Sequence, residues 1–156
     1  MSDISKISKL EDAIKSGKIT IINLPAKRKE VFDNQLLLLK DDIDNMNTLL
    51  QNNKFRGALI HAFNALERAV DMFLILKGIK VRDRYYREVA IEEKIGKEFL
   101  GEFEDLYDKR RDGMYERGII TKDVILRITD VLLPKIITTI NKELPEKDKI
   151  TIETGI

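Results

Sequence analysis

Two charged residues stand where an otherwise apolar pattern calls for neither. Phe99, Phe103 and Leu106 step by four and three residues, and one further step of four reaches Arg110. On a helix that spacing turns Arg110 toward whatever the stripe packs against and leaves Arg111 pointing aside. Glu67 interrupts a second row, Ile60, Phe63, Val70 and Leu74, in the same way. A charge on a core-facing row is costly unless it is paired. The two interruptions therefore predict a partly buried Glu67–Arg110 ion pair between adjacent helices. The alternative places both side chains at bundle edges, in contact with solvent.

Other chemistry-bearing residues are weaker signals. The stretch VRDRYYRE sets Arg82, Arg84 and Arg87 beside Tyr85 and Tyr86, a mixture suited to phosphate contact and base stacking. Asp83 and Glu88 dilute its charge, and a solvated helix start with one tyrosine packing inward fits equally well. The lone histidine, His61, lies on the row Gly57, His61, Asn64, Arg68, the polar side of its helix. A solvated or interface histidine is the expectation there, with acid–base chemistry as the alternative. The acidic run Asp41, Asp42, Asp44 falls within a helix and reads as a solvated face rather than a metal site.

These residues need helices to position them, and helical periodicity runs through the chain. Apolar residues at Ile4, Ile7, Leu10 and Ile14 predict a first helix ended by Gly17. Lys18 to Ile22 reads as an extended connector, without a strand partner. Pro25 opens a long helix to about Gln51, with the stripe Phe32, Leu36, Leu39, Ile43, Met46 and Leu50. Asn52-Asn53 makes a turn into a helix over Phe55 to Lys77. A short helix is predicted within Val81 to Gly96, and another follows from Lys97. Asp112-Gly113 is a turn signal, and the segment through Gly118 reads as a loop or a frayed helix end. Thr121 caps the last helix, over Lys122 to Lys142, and Pro134 inside it predicts a kink. Nothing reads as a sheet. The fold class expected is all-α: an antiparallel helical bundle with four to five main helices. Residues 1–25 form an N-terminal helical extension, 26–144 the bundle and 145–156 a charged tail.

Composition sets the limits on function. Of 156 residues, 43% are hydrophobic and 35% charged, which suits one globular domain with a heavily ionised surface. Twenty-eight basic against 27 acidic residues leave a net charge of +1, so a nucleic-acid role would have to come from local patches. With no cysteine and one histidine, no disulfide, metal or cofactor is expected. No run approaches the roughly 20 apolar residues of a membrane span, and the N-terminus lacks an apolar signal core. A cytoplasmic protein is expected. Abundant Lys, Glu, Asp and Ile without Cys or Trp is a composition of the thermophilic kind.

The order of elements resembles the HEPN domain from about Arg28 to Lys142. The segments that carry the resemblance are KDDIDNMNTLLQNNKFRGALIHAFNALERAVDMFLILKGI and LYDKRRDGMYERGIITKDVILRITDVLLPKII. It implies a homodimer, often working beside a minimal nucleotidyltransferase, and in some members a metal-independent ribonuclease that acts as a toxin. The family's ribonuclease signature is an arginine followed, after a short spacer, by a histidine near the end of a late helix. Here the matching segment begins at Arg110-Arg111, and Tyr115 holds the histidine position. A phenol of pKa about 10 is a poor base near neutral pH. Arg110 could stabilise a phosphorane and Tyr115 could donate a hydrogen bond or stack on a base. A literal match, Arg56 to His61, lies on the wrong helix and reads as coincidence. The resulting expectation is a dimeric binding module for RNA, a nucleotide or a nucleotidyltransferase, without efficient catalysis. Its candidate centre is Arg110 and Tyr115, with Glu67, Arg111, Arg84, Arg87 and Tyr85 as binding residues. The alternatives are a ribonuclease toxin centred on Arg110 and a purely structural bundle.

Overall fold

Two long helices joined by a tight turn organise the molecule. In a computed structural model that describes residues 9, 11–115 and 121–152, with the side chains of 112–115 and 121 outside that description, α1 spans Pro25–Gln51 and α2 spans Phe55–Leu76. Asn53 makes the turn between them with φ +56°, a left-handed conformation that asparagine tolerates better than most residues. Both apolar rows of α2 are needed. Ala62, Phe63, Leu66, Ala69, Val70 and Leu74 are each fully buried, so α2 is the central helix with neighbours on several sides. On α1 the buried stripe is Phe32, Leu39, Ile43 and Met46, with Leu36 and Leu50 half-buried at its margins. The all-α bundle is therefore the architecture found. No helix among the described residues is long and apolar enough to cross a membrane.

The reading of Lys18 to Ile22 as an unpartnered connector is corrected. Strand β1, Ile19–Ile21, pairs antiparallel with β2, Ile79–Val81, in the register Ile19↔Val81, Thr20↔Lys80 and Ile21↔Ile79. One segment precedes α1 and the other follows α2, so the antiparallel helices bring the two together. No local periodicity announces such a pairing in strands this short. Gly78 lies at the junction with φ +84°, where the Arg28 guanidinium comes within 2.8 Å of where a β-carbon would sit. The positive φ calls for glycine there, and a β-carbon would also displace the end of the Arg28 side chain.

Helix α3, Arg84–Lys94, starts at Asp83, whose carboxylate accepts hydrogen bonds from the backbone N–H of Tyr85 at 2.8 Å and of Tyr86 at 3.4 Å. This acid closes the helix N-terminus, besides diluting the charge of its arginine neighbours. Gly96, at φ +138°, breaks the chain before α4, Lys97–Tyr115. The turn expected at Asp112-Gly113 does not form: the backbone stays helical through both residues. A mid-helix glycine costs about 1 kcal/mol, which the packed turns ahead of it outweigh.

The described part of the last long helix opens with α5, Thr121–Arg127, and the capping role expected of the Thr121 side chain lies outside the described residues. The distortion expected at Pro134 takes the form of a π turn over Ile128–Leu132, closed by a bond from the Leu133 N–H to the Ile128 carbonyl. Proline lacks an N–H and crowds the preceding turn, and the wider turn relieves both problems. The chain continues as α6, Leu133–Asn141. Beyond it, the Asn141 side chain bonds both backbone groups of Ile150, at 2.8 and 2.9 Å, and so ties the charged tail back onto the bundle. Ile150 at one end of the chain and Ala13 and Ile19 at the other are buried in the same core.

Candidate functional site

One sector of α2 is neither buried nor exposed. Gly57, Ile60, His61, Asn64, Glu67, Arg68 and Asp71 are all half-buried. At about 100° per residue they fall within about 120° of the helix circumference. This strip carries Glu67, Arg68 and Asp71, and α1, α3 and α4 each send a side chain onto it or beside it.

The arm from α3 is Arg87. Its Nε donates to Asp71 Oδ1 at 2.9 Å and its Nη2 to Oδ2 at 3.3 Å, a two-point clasp. Its Nη1 lies 3.5 Å from Glu67 Oε2. The direct Glu67–Arg110 ion pair expected from sequence is therefore corrected, because the cation in contact with Glu67 is Arg87. Arg110 acts on Glu67 only through space. Its guanidinium instead lies over the ring of Phe63, one turn earlier on α2, with its carbon 5.1 Å from the ring centroid. The inward direction predicted for Arg110 is the one observed. Its Nε is buried and has no hydrogen-bond partner among the described residues.

Aromatic rings extend this corner. Phe63 meets Phe103 at 5.4 Å and Tyr107 edge-on at 5.6 Å. Arg84 lies over Tyr107, its guanidinium carbon 3.3 Å from the ring centroid, and also reaches Glu88 at 3.3 Å. The Phe63–Tyr107 pair is thus covered by one arginine at each ring. Tyr86 packs against the core, whereas Tyr85 is half exposed and meets Tyr86 edge-on at 5.1 Å. Arg111 is exposed and lies 3.9 Å from Asp108. The side chain of Tyr115 lies outside the described residues. The structure therefore brings Glu67, Arg87 and Arg110 to one corner, with Arg84 beside them, and leaves Tyr85 and Arg111 on the surface.

On the other edge of the strip α1 contributes Asp42, and here the expectation of a solvated acidic face is corrected. Asp41 and Asp44 are exposed, but Asp42 retains only 7% of its accessible surface. Its Oδ1 lies 2.9 Å from His61 Nδ1, and its Oδ2 accepts from Arg68 Nε at 2.8 Å. Arg68 also reaches Gln35 of α1 at 3.5 Å. Acids at positions 41, 42 and 44 of a helix spread over different faces, and position 42 falls at the margin of the apolar stripe, against α2. A signal was available. A fold-back at Asn52-Asn53 sets residues equally far from the turn opposite one another, which places Asp42 near His61 and Arg68. His61 is thus a partner of a buried carboxylate, with its Nε2 pointing away from that contact. Among the described residues no group of His, Asp and Glu could hold a metal ion.

Burial raises the Glu67 carboxyl above the ordinary range, against the opposing pull of Arg87 and Arg110. The folded protein then binds this proton more readily than the unfolded chain does. Its stability falls as pH rises from the ordinary carboxylate range through the raised value. Glu67→Gln keeps the shape and removes the ionisation. It should raise Tm by about 2 °C near pH 7 and leave it unchanged near pH 4, where wild type and variant converge. Thermal melts at the two pH values check this. A lower Tm for the variant near pH 7 would mean that the Arg87 contact outweighs the cost of burial.

No protein-family model, no curated protein and no solved structure matches this chain.

Proposed function

We propose that this chain is a HEPN-like binding module, working as a homodimer, that takes a phosphate-bearing ligand, RNA or a nucleotide, at the corner where α2 meets α4. A nucleotidyltransferase is the protein partner this reading implies. The observation that carries it is the state of Arg110. Its charge is turned inward onto Phe63, its Nε is unbonded, and no carboxylate among the described residues lies within ion-pairing distance. A planar guanidinium held in this way retains N–H donors for an anion, and arginine's geometry suits phosphate. The neighbouring Arg87 is already committed to Asp71 and Glu67. With tyrosine at position 115, the reading assigns recognition rather than efficient cleavage.

The test is fluorescence anisotropy with a labelled single-stranded RNA and a labelled nucleotide. Arg110→Ala should weaken binding by about 10-fold or more, as expected for losing a hydrogen bond to a charged group. Arg111→Ala, removing an exposed cation, should cost much less. Equal affinity in wild type and Arg110→Ala would remove the proposed centre. A monomer mass at high concentration in sedimentation equilibrium would remove the dimer.

A ribonuclease reading draws on a different observation, the contact of His61 Nδ1 with Asp42. A carboxylate accepting from Nδ1–H leaves Nε2 as the basic nitrogen. RNA cleavage that resists a chelator and disappears in His61→Asn would favour it.

A further inference from the structure

A second site lies away from α4, where the C-terminal tail closes over the first half of α1. A cavity of about 540 Å³ opens there, a size typical of small-molecule sites. Its floor is apolar: Phe32 and Leu36 from α1, Leu76 from the end of α2, and Leu144 and Ile150 from the tail. Its rim is basic. Arg28, Lys29, Lys40, Lys147 and Lys149 line it, against the two carboxylates Asp33 and Asp148. Five cations against two acids concentrate more positive charge here than the net +1 of the whole chain.

Three of the cations are engaged. The Arg28 guanidinium donates to the Ile22 carbonyl, Lys29 lies 3.0 Å from Asp33, and Lys149 lies 2.7 Å from Glu146. Lys40 and Lys147 have no ion-pair partner among the described residues. They come from different elements, one from α1 and the other from the tail. The tail wall is held in place by the two Asn141–Ile150 hydrogen bonds. A greasy floor beneath two uncommitted ammonium groups asks for a ligand with an apolar body and an anionic head.

The character of the floor narrows the class. Four of its five side chains are aliphatic, and the one ring, Phe32, is itself buried, with 7% of its surface exposed. A nucleobase would want an open aromatic face to stack on. We infer that this cavity is a binding site for a small aliphatic anion, an alkyl or acyl chain ending in phosphate or carboxylate, whose head is held by Lys40 and Lys147. The inference is independent of the reading of Arg110.

Isothermal titration with decyl phosphate, decanoate, decanol and ATP tests it, each amphiphile kept below its micelle concentration. The expected result is 1:1 binding of decyl phosphate or decanoate, with the better of the two identifying the head. Decanol and ATP should bind at least about 10-fold more weakly. The double variant Lys40→Glu/Lys147→Glu should lose the aliphatic anion, again by about 10-fold or more. Both lysines are exposed, so the fold should survive, and unchanged melting curves would verify that. Arg110→Ala should bind like wild type. Absence of saturable binding, equal affinity in the double variant, or decanol binding as tightly as decyl phosphate would each overturn the assignment. Preference for ATP over both aliphatic anions would overturn it in favour of a nucleotide.

Discussion

Phe63→Ala is expected to destabilise the protein by about 4 kcal/mol, the range for deleting a fully buried ring, and so to lower Tm by about 8–16 °C. Phe63 has no exposed surface. Its ring is the meeting point of α2 with α4, touching Phe103, Tyr107 and the Arg110 guanidinium. Alanine leaves a cavity that backbone-spaced helices cannot close, removes two aromatic contacts and takes away the surface over which Arg110 lies. Phe63→Leu separates these effects. It restores much of the volume and should recover more than half of the stability, but it supplies no π face. Guanidinium denaturation of the three proteins, with circular dichroism as the readout, measures the difference. A loss below about 1 kcal/mol for alanine would mean that α4 repacks over the site.

What could be read from the residues divides along one physical line. The span of α1, the buried rows of α2 and the inward turn of Arg110 follow from spacing alone, because a helix converts spacing into direction without reference to anything distant. The break at Gly96 and the disturbance before Pro134 follow from single residues whose backbone chemistry is local. What was hidden depends on which helix faces which. Glu67 and Arg110 were each rightly placed on inner rows, but the row does not say that Arg87, arriving from α3, is the cation in contact with Glu67. The β1–β2 pairing joins segments on either side of the whole α1–α2 hairpin. Asp42 lies between these cases: its exposure looked local, and its burial comes from the fold-back that sets it against His61 and Arg68. The residue Gly113 shows the converse error, a local breaker overruled by the helix around it.

Arg87→Ala should be the most damaging substitution at any charged position described here. Arg87 is in direct contact with two enclosed carboxylates, with Asp71 clasped at two points and Glu67 approached at 3.5 Å. Removing it leaves both acids half-buried and raises further the carboxyls that burial already lifts. Stranding buried charge costs about 3 kcal/mol, a fall in Tm of roughly 6–12 °C. The damage should be pH-dependent. Both acids take up protons more readily without their cation, so the gap between wild type and variant should narrow as pH falls below the range in which the acids ionise. If charge is the cause, removing the acids repairs it: Arg87→Met with Asp71→Leu and Glu67→Gln should regain most of the lost stability. That triple variant also separates the network from the proposed binding corner. Arg110 and Phe63 remain, so a protein that is stable again and still binds RNA or a nucleotide would assign Arg87 to the architecture and Arg110 to recognition. If the triple variant is stable but binding is lost, Arg87 belongs to the ligand site as well.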